Sequence, residues 1–307
     1  MEGSSKLVRH VEKLNVEFVC QKDCGDCEIY FDCSRDEKEK FIKHGFVSLV
    51  RARLKGVKHK FLVLGGKGGV GKSMVAVNFA SALHALGKKV CILDQNFDCP
   101  SVPTMLGIAG QKLKFGEKGL LLPAETKEGI KVVSMGLIMQ DDDVIVWFHE
   151  SKRMAAEEFL MGVDYGDLDY LVLDVPAGTS SETVNAMRLL PDIDGALVVT
   201  VPSEVSQNVA EKAILISQKA KVPVFSVIEN MGHCVCPTCH QQVSFLQSGG
   251  GISLAKRTGL KFGGSIPMDI RVSTSLDEGI PFVLAYPEIE ASKLIKKIAE
   301  EVVEKFG

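Results

Sequence analysis

The sequence has no basic surplus. Thirty-six lysines and arginines are set against 39 aspartates and glutamates, leaving a net charge of −3 and a pI near 6.2. A chain that grips a nucleic-acid backbone usually carries the opposite balance, so nucleic-acid binding is not expected. No run of about 18 apolar residues occurs, so no transmembrane helix is expected either. The first residues, MEGSSKLVRHVEK, lack the apolar centre of a secretory signal. The expectation is a cytoplasmic protein with no membrane attachment. Internal repeats and low-complexity tracts are also missing.

What is present is a chain of 307 residues, 46% of them hydrophobic, enough for one large domain and a small appendage. Nine cysteines stand at 20, 24, 27, 33, 91, 99, 234, 236 and 239, and seven of them fall in two short clusters. In a reducing compartment clustered thiols point to metal or cluster ligation rather than to disulfides. Three segments follow from the pattern: a cysteine-rich metal segment over 1–35, a charged helical connector over 36–58, and a large α/β domain over 59–307. The connector's basic residues, among them Lys38, Lys43 and Arg51, read as a solvated helix face.

From Lys60 onward apolar runs alternate with helical periods. FLVLGG (61–66), KKVCILD (88–94), YLVLDVP (170–176), GALVVTVP (195–202), PVFSVIEN (223–230) and FGGSIP (262–267) read as buried strands. Helices are predicted over 72–86, 203–220 and 287–306. Uninterrupted apolar strands separated by helices predict a doubly wound, mostly parallel sheet covered on both faces. The stripe Ile289, Leu294, Ile295, Ile298, Val302 and Phe306 should pack on that sheet, because the polar face of its helix mixes Lys with Glu.

Gly66-Lys67-Gly68-Gly69-Val70-Gly71-Lys72-Ser73 fits G-x-x-x-x-G-K-[ST] between a predicted strand and a predicted helix. Glycines let backbone N–H groups wrap a phosphate, and the helix N-terminus adds partial positive charge. Lys72 should reach the β- and γ-phosphates, and the Ser73 hydroxyl should ligate Mg²⁺. A nucleoside triphosphate, ATP first, is the expected ligand. Asp94 and Asp174 end two of the predicted strands, where acidic groups face the ligand crevice of a parallel sheet. Asp174 is read as the Walker-B residue that holds Mg²⁺ through water, and Gly178 as a sensor of the γ-phosphate. The general motif does not require Lys67. The form GKGGVGKS resembles the deviant Walker-A loop of the SIMIBI class of ATPases, in which the first lysine crosses to the partner's nucleotide. That resemblance implies an ATP-closed homodimer.

Cys236-Pro237-Thr238-Cys239 supplies two thiols, too few for a tetrahedral sulfur site. A redox pair, a zinc site completed by His233, Cys234 or His240, and a 4Fe–4S cluster shared by two copies remain open; the implied dimer favours the last. Cys20, Cys24, Cys27 and Cys33 suffice for an intrachain 4Fe–4S or zinc site, and a metal centre would supply the fold of so apolar-poor a segment. Cys91 reads as a core residue and Cys99 as a small filler after Asp94. His84 and His149 are assigned nothing.

From about Leu54 to the end the chain resembles the Mrp/Nbp family of cytosolic iron–sulfur cluster carrier ATPases. The matching stretches are VKHKFLVLGGKGGVGKS (57–73), GDLDYLVLDVPAGTSSE (166–182), DGALVVTVPSEVS (194–206), VIENMGHCVCPTC (227–239), SGGG (248–251) and GSIPMDIRVSTSLDEGIP (264–281). The resemblance implies a homodimer, or a heterodimer with a paralogue, bridged by a labile 4Fe–4S cluster on Cys236 and Cys239. It implies a tighter cluster on the N-terminal cysteines, slow ATP hydrolysis, and delivery of clusters to apo-proteins. It also implies that Asn230 contacts the adenine, with Pro267–Asp269 nearby. Two other deviant-loop classes are alternatives: an electron-transfer activator like the nitrogenase iron protein, and a regulatory ATPase of the MinD or ParA type.

Three departures from the family pattern stand out. Asn96 takes the place of the switch aspartate expected to orient the attacking water, and an amide cannot accept a proton as a carboxylate can. Trp147-Phe148-His149-Glu150 replaces W-R-G-P, and Met74 follows Ser73 where threonine is usual. Nucleotide binding with weak ATPase activity is therefore expected. Asp98 is the other candidate for orienting water.

Overall fold

A computed structural model describes residues 20, 23, 24, 27, 29–139, 146–235, 242–243 and 249–307, with backbone alone at 235 and 242. Cys236 and Cys239 lie outside the described residues, as does His240. Two helices, α1 (Asp36–His44) and α2 (Phe46–Arg53), precede the first strand, β1 (Val57–Gly65). The sheet then collects β2 (Val90–Asp94), β5 (Ala124–Glu125), β6 (Lys131–Val133), β7 (Leu168–Asp174), β8 (Gly195–Thr200), β9 (Val224–Val235), β10 (Gln242–Val243) and β11 (Phe262–Met268). Its order is β10-β9-β8-β1-β7-β2-β6-β5, with β11 also paired to β9. All pairings are parallel except the edge strands β5 and β10. A separate hairpin joins β3 (Lys114–Phe115) and β4 (Leu121–Leu122).

β1 lies at the middle of the sheet, between β7 and β8, and its side chains alternate between two cores. Phe61 and Val63 face one core, with helices α3 (Lys72–Ala85) and α11 (Glu290–Phe306). Leu62 and Leu64 face the other, with α5 (His149–Met161), α6 (Ser181–Leu189) and α7 (Glu204–Lys219). This is the two-sided burial that makes a parallel strand read as one apolar run. The predicted stripe on α11 packs as expected: Ile289, Ile295, Ile298 and Val302 are buried, and Leu294 and Phe306 sit at the core's margin.

Helix α3 is enclosed on nearly all sides, with every residue from Met74 to Leu83 buried. Leu86 differs from its predicted place on the apolar face: it lies past the helix end and is 42% exposed. Helix α6 begins where Ser180 accepts a hydrogen bond from the Thr183 N–H, and α7 where Ser203 accepts one from Ser206; both are side-chain N-caps. The short helices α4 (Val102–Met105), α9 (Ile270–Asp277) and α10 (Phe282–Ala285), with α8 (Gly250–Thr258), complete the layers. Among the described residues no helix is long and apolar enough to cross a membrane.

Candidate nucleotide and thiol sites

The strand register assembles the nucleotide site. Val63 of β1 pairs with Asp174 of β7, and Asp174 pairs with Asp94 of β2. The two aspartates therefore stand side by side at the carboxyl ends of adjacent strands, two residues below the end of β1, where the loop 66–71 begins. The loop after β7 is tied to the same point, because Gly178 N–H donates to the Gly65 carbonyl at 2.8 Å.

Gly71 adopts φ +91° immediately before α3, a left-handed conformation that glycine enters without strain. A Cβ there would also strike the Asn230 amide. Lys67, Gly68 and Gly69 are exposed, and a Cβ on Gly68 or Gly69 would meet nothing within 4 Å, so the loop opens to solvent. Lys67 makes no ion pair among the described residues. Lys72 instead folds back beside Gly65. Burial lowers the pKa of its ammonium, against the pull of Asp174.

The two aspartates differ in what satisfies them. Asp94 Oδ2 accepts from Ser134 Oγ at 2.9 Å, and Asp94 Oδ1 accepts from the Asn96 N–H at 3.0 Å. Asp174 is 1% exposed, and among the described residues neither of its oxygens has a hydrogen-bond partner of normal geometry. Burial raises the pKa of both carboxyls, and at Asp94 the neighbouring Asp174 charge adds to it. The Ser73 hydroxyl and the Lys72 ammonium pull Asp174 the other way. A buried carboxylate with open lone pairs, beside a serine hydroxyl and a lysine, is a place a cation fits. Mg²⁺ with triphosphate oxygens would satisfy Asp174 and Ser73 and use the N–H groups of the open loop.

Asn230 is 4% exposed and lies against the loop, its Nδ2 donating to the Val70 carbonyl at 2.9 Å. Ile266 of β11 pairs with it, and after a register shift Met268 pairs with Cys234, with buried Pro267 between the two. Asp269 caps α9, accepting from the Arg271 N–H at 2.9 Å, and Arg271 holds its carboxyl below the ordinary carboxylate range.

The structure adds residues the sequence did not single out. Gln95 is fully buried next to Asp94, and among the described residues its side-chain amide has no partner. Ser134, at the end of β6, anchors Asp94. Lys152 pairs with both Asp98 and Glu182, at 2.6 and 2.7 Å. Only Gln95 carried a sequence signal, its place beside a strand-end aspartate. One expectation needs correction. Cys99 is exposed rather than a filler, because its loop runs over the surface after β2. His84, to which the sequence assigned nothing, lies within hydrogen-bond distance of the carbonyls of Lys88 and Glu128.

The N-terminal thiols surround a single turn of 3₁₀ helix, Tyr30–Asp32. Tyr30 N–H donates to the Cys27 carbonyl at 3.2 Å, and Lys38 Nζ donates to the Cys33 carbonyl at 3.0 Å. The Tyr30 ring is buried edge-on against Phe31 and Phe41, with the Arg188 guanidinium 5.8 Å away. Lys219 pairs with Asp32 at 2.7 Å. These contacts dock the segment on α6 and α7. Cys24 is buried, and its pKa is raised by that burial first and then by the charges of Cys27, Cys33 and Cys20. Among the described residues no three His, Cys, Asp or Glu side chains converge on a single-ion site. Strand β9 runs to Val235, one residue short of Cys236.

A family profile described as NUBPL iron-transfer P-loop NTPase, of the ParA type, matches residues 56–303. An iron–sulfur cluster carrier protein of Methanocaldococcus jannaschii is 40% identical over 93% of this chain and 97% of its own length. The cytosolic Fe-S cluster assembly factor NUBP2 of Rattus norvegicus is 38% identical over 81% of this chain and 94% of its own. Among solved structures, a nucleotide-binding protein from Archaeoglobus fulgidus in complex with ADP superimposes with a TM-score of 0.67 at 32% identity. That match covers 76% of this chain and 92% of the other. The chain belongs to the family of NUBPL iron-transfer P-loop NTPases.

Proposed function

We propose that this protein is an ATP-dependent iron–sulfur cluster carrier that passes clusters to apo-proteins. The observation that carries the reading is that one chain holds both a phosphate loop beside the buried carboxylate of Asp174 and a docked segment bearing Cys20, Cys24, Cys27 and Cys33. In this reading Lys72 and the loop N–H groups hold the triphosphate, and Ser73 with Asp174 holds Mg²⁺. Asn230, Pro267 and Asp269 line the base end. Lys67, exposed and unpaired within the described chain, reaches the nucleotide of a second copy. That closure brings the Cys236 and Cys239 pairs of two chains together around a labile 4Fe–4S cargo, while Cys20, Cys24, Cys27 and Cys33 hold a second cluster. The two relatives, an iron–sulfur cluster carrier protein and a cytosolic Fe-S cluster assembly factor, support cargo of this class.

Hydrolysis is slow in this reading. Asn96 Nδ2 donates to the Cys99 carbonyl at 3.0 Å, and an amide cannot take a proton from water. Asn96→Asp is expected to raise ATP turnover by about tenfold or more, read by phosphate release. No increase beside a brisk wild-type rate would remove the assignment.

An anaerobic preparation analysed for iron, sulfide and zinc per chain tests the cargo. Iron and sulfide in equal amounts, reduced when Cys236 and Cys239 are replaced by alanine, are the expected result. Zinc without sulfide would overturn the carrier reading.

A further inference from the structure

The loop that leaves β2 and the loop that leaves β7 begin at the two aspartates of the nucleotide site, Asp94 and Asp174. The described chain offers them few direct links: Gln95 N–H donates to the Asp174 carbonyl at 2.9 Å, at the very root of both. Farther out one side chain reaches both. Lys152, in the first turn of α5, places its ammonium 2.6 Å from Asp98 Oδ2 and 2.7 Å from Glu182 Oε1. Asp98 lies four residues beyond Asp94. Glu182 lies eight residues beyond Asp174, in the first turn of α6.

We infer that Lys152 is a positioning residue that latches the two nucleotide-facing loops together, so that ATP moves them as one unit. The inference rests on the nucleotide reading of the 66–73 loop and deepens it.

The latch is asymmetric. Lys152 and Glu182 are 15% and 5% exposed, whereas Asp98 is 54% exposed. Ser181 Oγ also donates to Glu182, at 2.9 Å. The Lys152–Glu182 pair is therefore the fixed half, since removing either partner would strand a buried charge. Asp98 is the releasable half, a solvent-facing carboxylate on a surface loop. Burial alone would push the Lys152 pKa down, but the two carboxylates outweigh it and keep the ammonium charged.

Two consequences follow. Beyond the Gln95 tie at its root, the 95–101 loop is held by Asn96 on Asp94 and Cys99 and by Asp98 on Lys152. Any ligand that draws the 175–182 segment toward the phosphate loop pulls the 95–101 loop through Lys152. Asp98 also cannot orient water while its carboxylate is engaged by an ammonium, so it does not stand in for the missing switch aspartate in the latched state.

Asp98→Ala opens the latch without stranding Glu182, and Asp98→Glu restores a carboxylate. Amide hydrogen exchange of the full chain, with Mg·ATP and with Mg·ADP, reads both loops at once. In wild type, exchange in 95–101 and 176–184 should change together on ATP. In Asp98→Ala the 176–184 response should persist, while 95–101 exchanges about tenfold faster and no longer responds to nucleotide. KM for ATP should stay within about threefold while kcat changes, and Asp98→Glu should recover the joint response. A 95–101 segment that still follows ATP in Asp98→Ala would overturn the latch alone. A wild type without any ATP response at 66–73 would overturn the nucleotide reading and the latch with it.

Discussion

The phosphate loop and the N-terminal thiol segment are both short motifs of a few residues, yet they are built in opposite ways. The loop stands on the most buried part of the molecule. Its neighbours Asp94 and Asp174 are fixed by strand register, and Gly178 is tied to the end of β1. Both carboxylates are thus held in place by the sheet itself. The thiol segment rests on one turn of helix, a tyrosine ring under Arg188 of α6, and an ion pair from Asp32 to Lys219 of α7. Among the described residues its thiols do not converge on a single-ion site. A rigid sheet can hold an unsatisfied carboxylate ready for a cation. A small peripheral segment needs its metal to finish its own structure.

If the two regions are independent binding units, damage to one should leave the other intact. Lys72→Ala is expected to weaken ATP binding by about 10- to 100-fold, the loss of a charged hydrogen-bonding group, without changing iron content. Cys24→Ser should remove the N-terminal iron and leave nucleotide affinity unaltered. Titration with a fluorescent nucleotide and iron analysis of both variants check this cross, and a loss of both properties in either variant would break the comparison.

A smaller effect concerns pH. The carboxyls of Asp94 and Asp174 have folded-state pKa values above the ordinary 3.8, so the folded chain holds protons that the unfolded chain has released. Stability from this pair is thus present at low pH and lost as pH rises through the folded-state values. In nucleotide-free protein the melting temperature should fall between about pH 5 and pH 8 for this reason. Asp174→Asn should flatten that slope, and Mg·ATP should reverse it in wild type. Thermal melts across the range, with and without nucleotide, measure it. A slope unchanged in Asp174→Asn would show the pair is not its source.

The smallest expected effect is local. Tyr30→Ala should release the thiol segment from α6 by about 1–3 kcal/mol, less than a deep core aromatic because the site is peripheral. Faster exchange over 29–35 with a global melting temperature nearly unchanged would be the signature. A large global loss would mean the segment is part of the main core.

Much of the central sheet was legible because each buried strand is an apolar run and each carries its chemistry at its end. Asp94 and Asp174 were found for that reason. The strands β3 to β6 were not, since two or three residues carry no periodicity. Leu86 was misplaced by one residue because helical period continues past Ala85, where the helix stops. Cys99 could not be recognised as exposed without knowing that its loop crosses the surface. The Lys152 contacts join positions 54 and 30 residues apart, a spacing no local pattern encodes.

The most direct test of the carrier reading is cluster transfer. The chain is loaded anaerobically with iron and sulfide, separated from free iron, and mixed with an apo-acceptor of a 4Fe–4S enzyme in the presence of Mg·ATP. Acceptor activity and visible absorbance follow the outcome. A carrier will lose iron and sulfide together as the acceptor gains activity. A cluster that stays on the chain and only cycles between oxidation states would contradict the account.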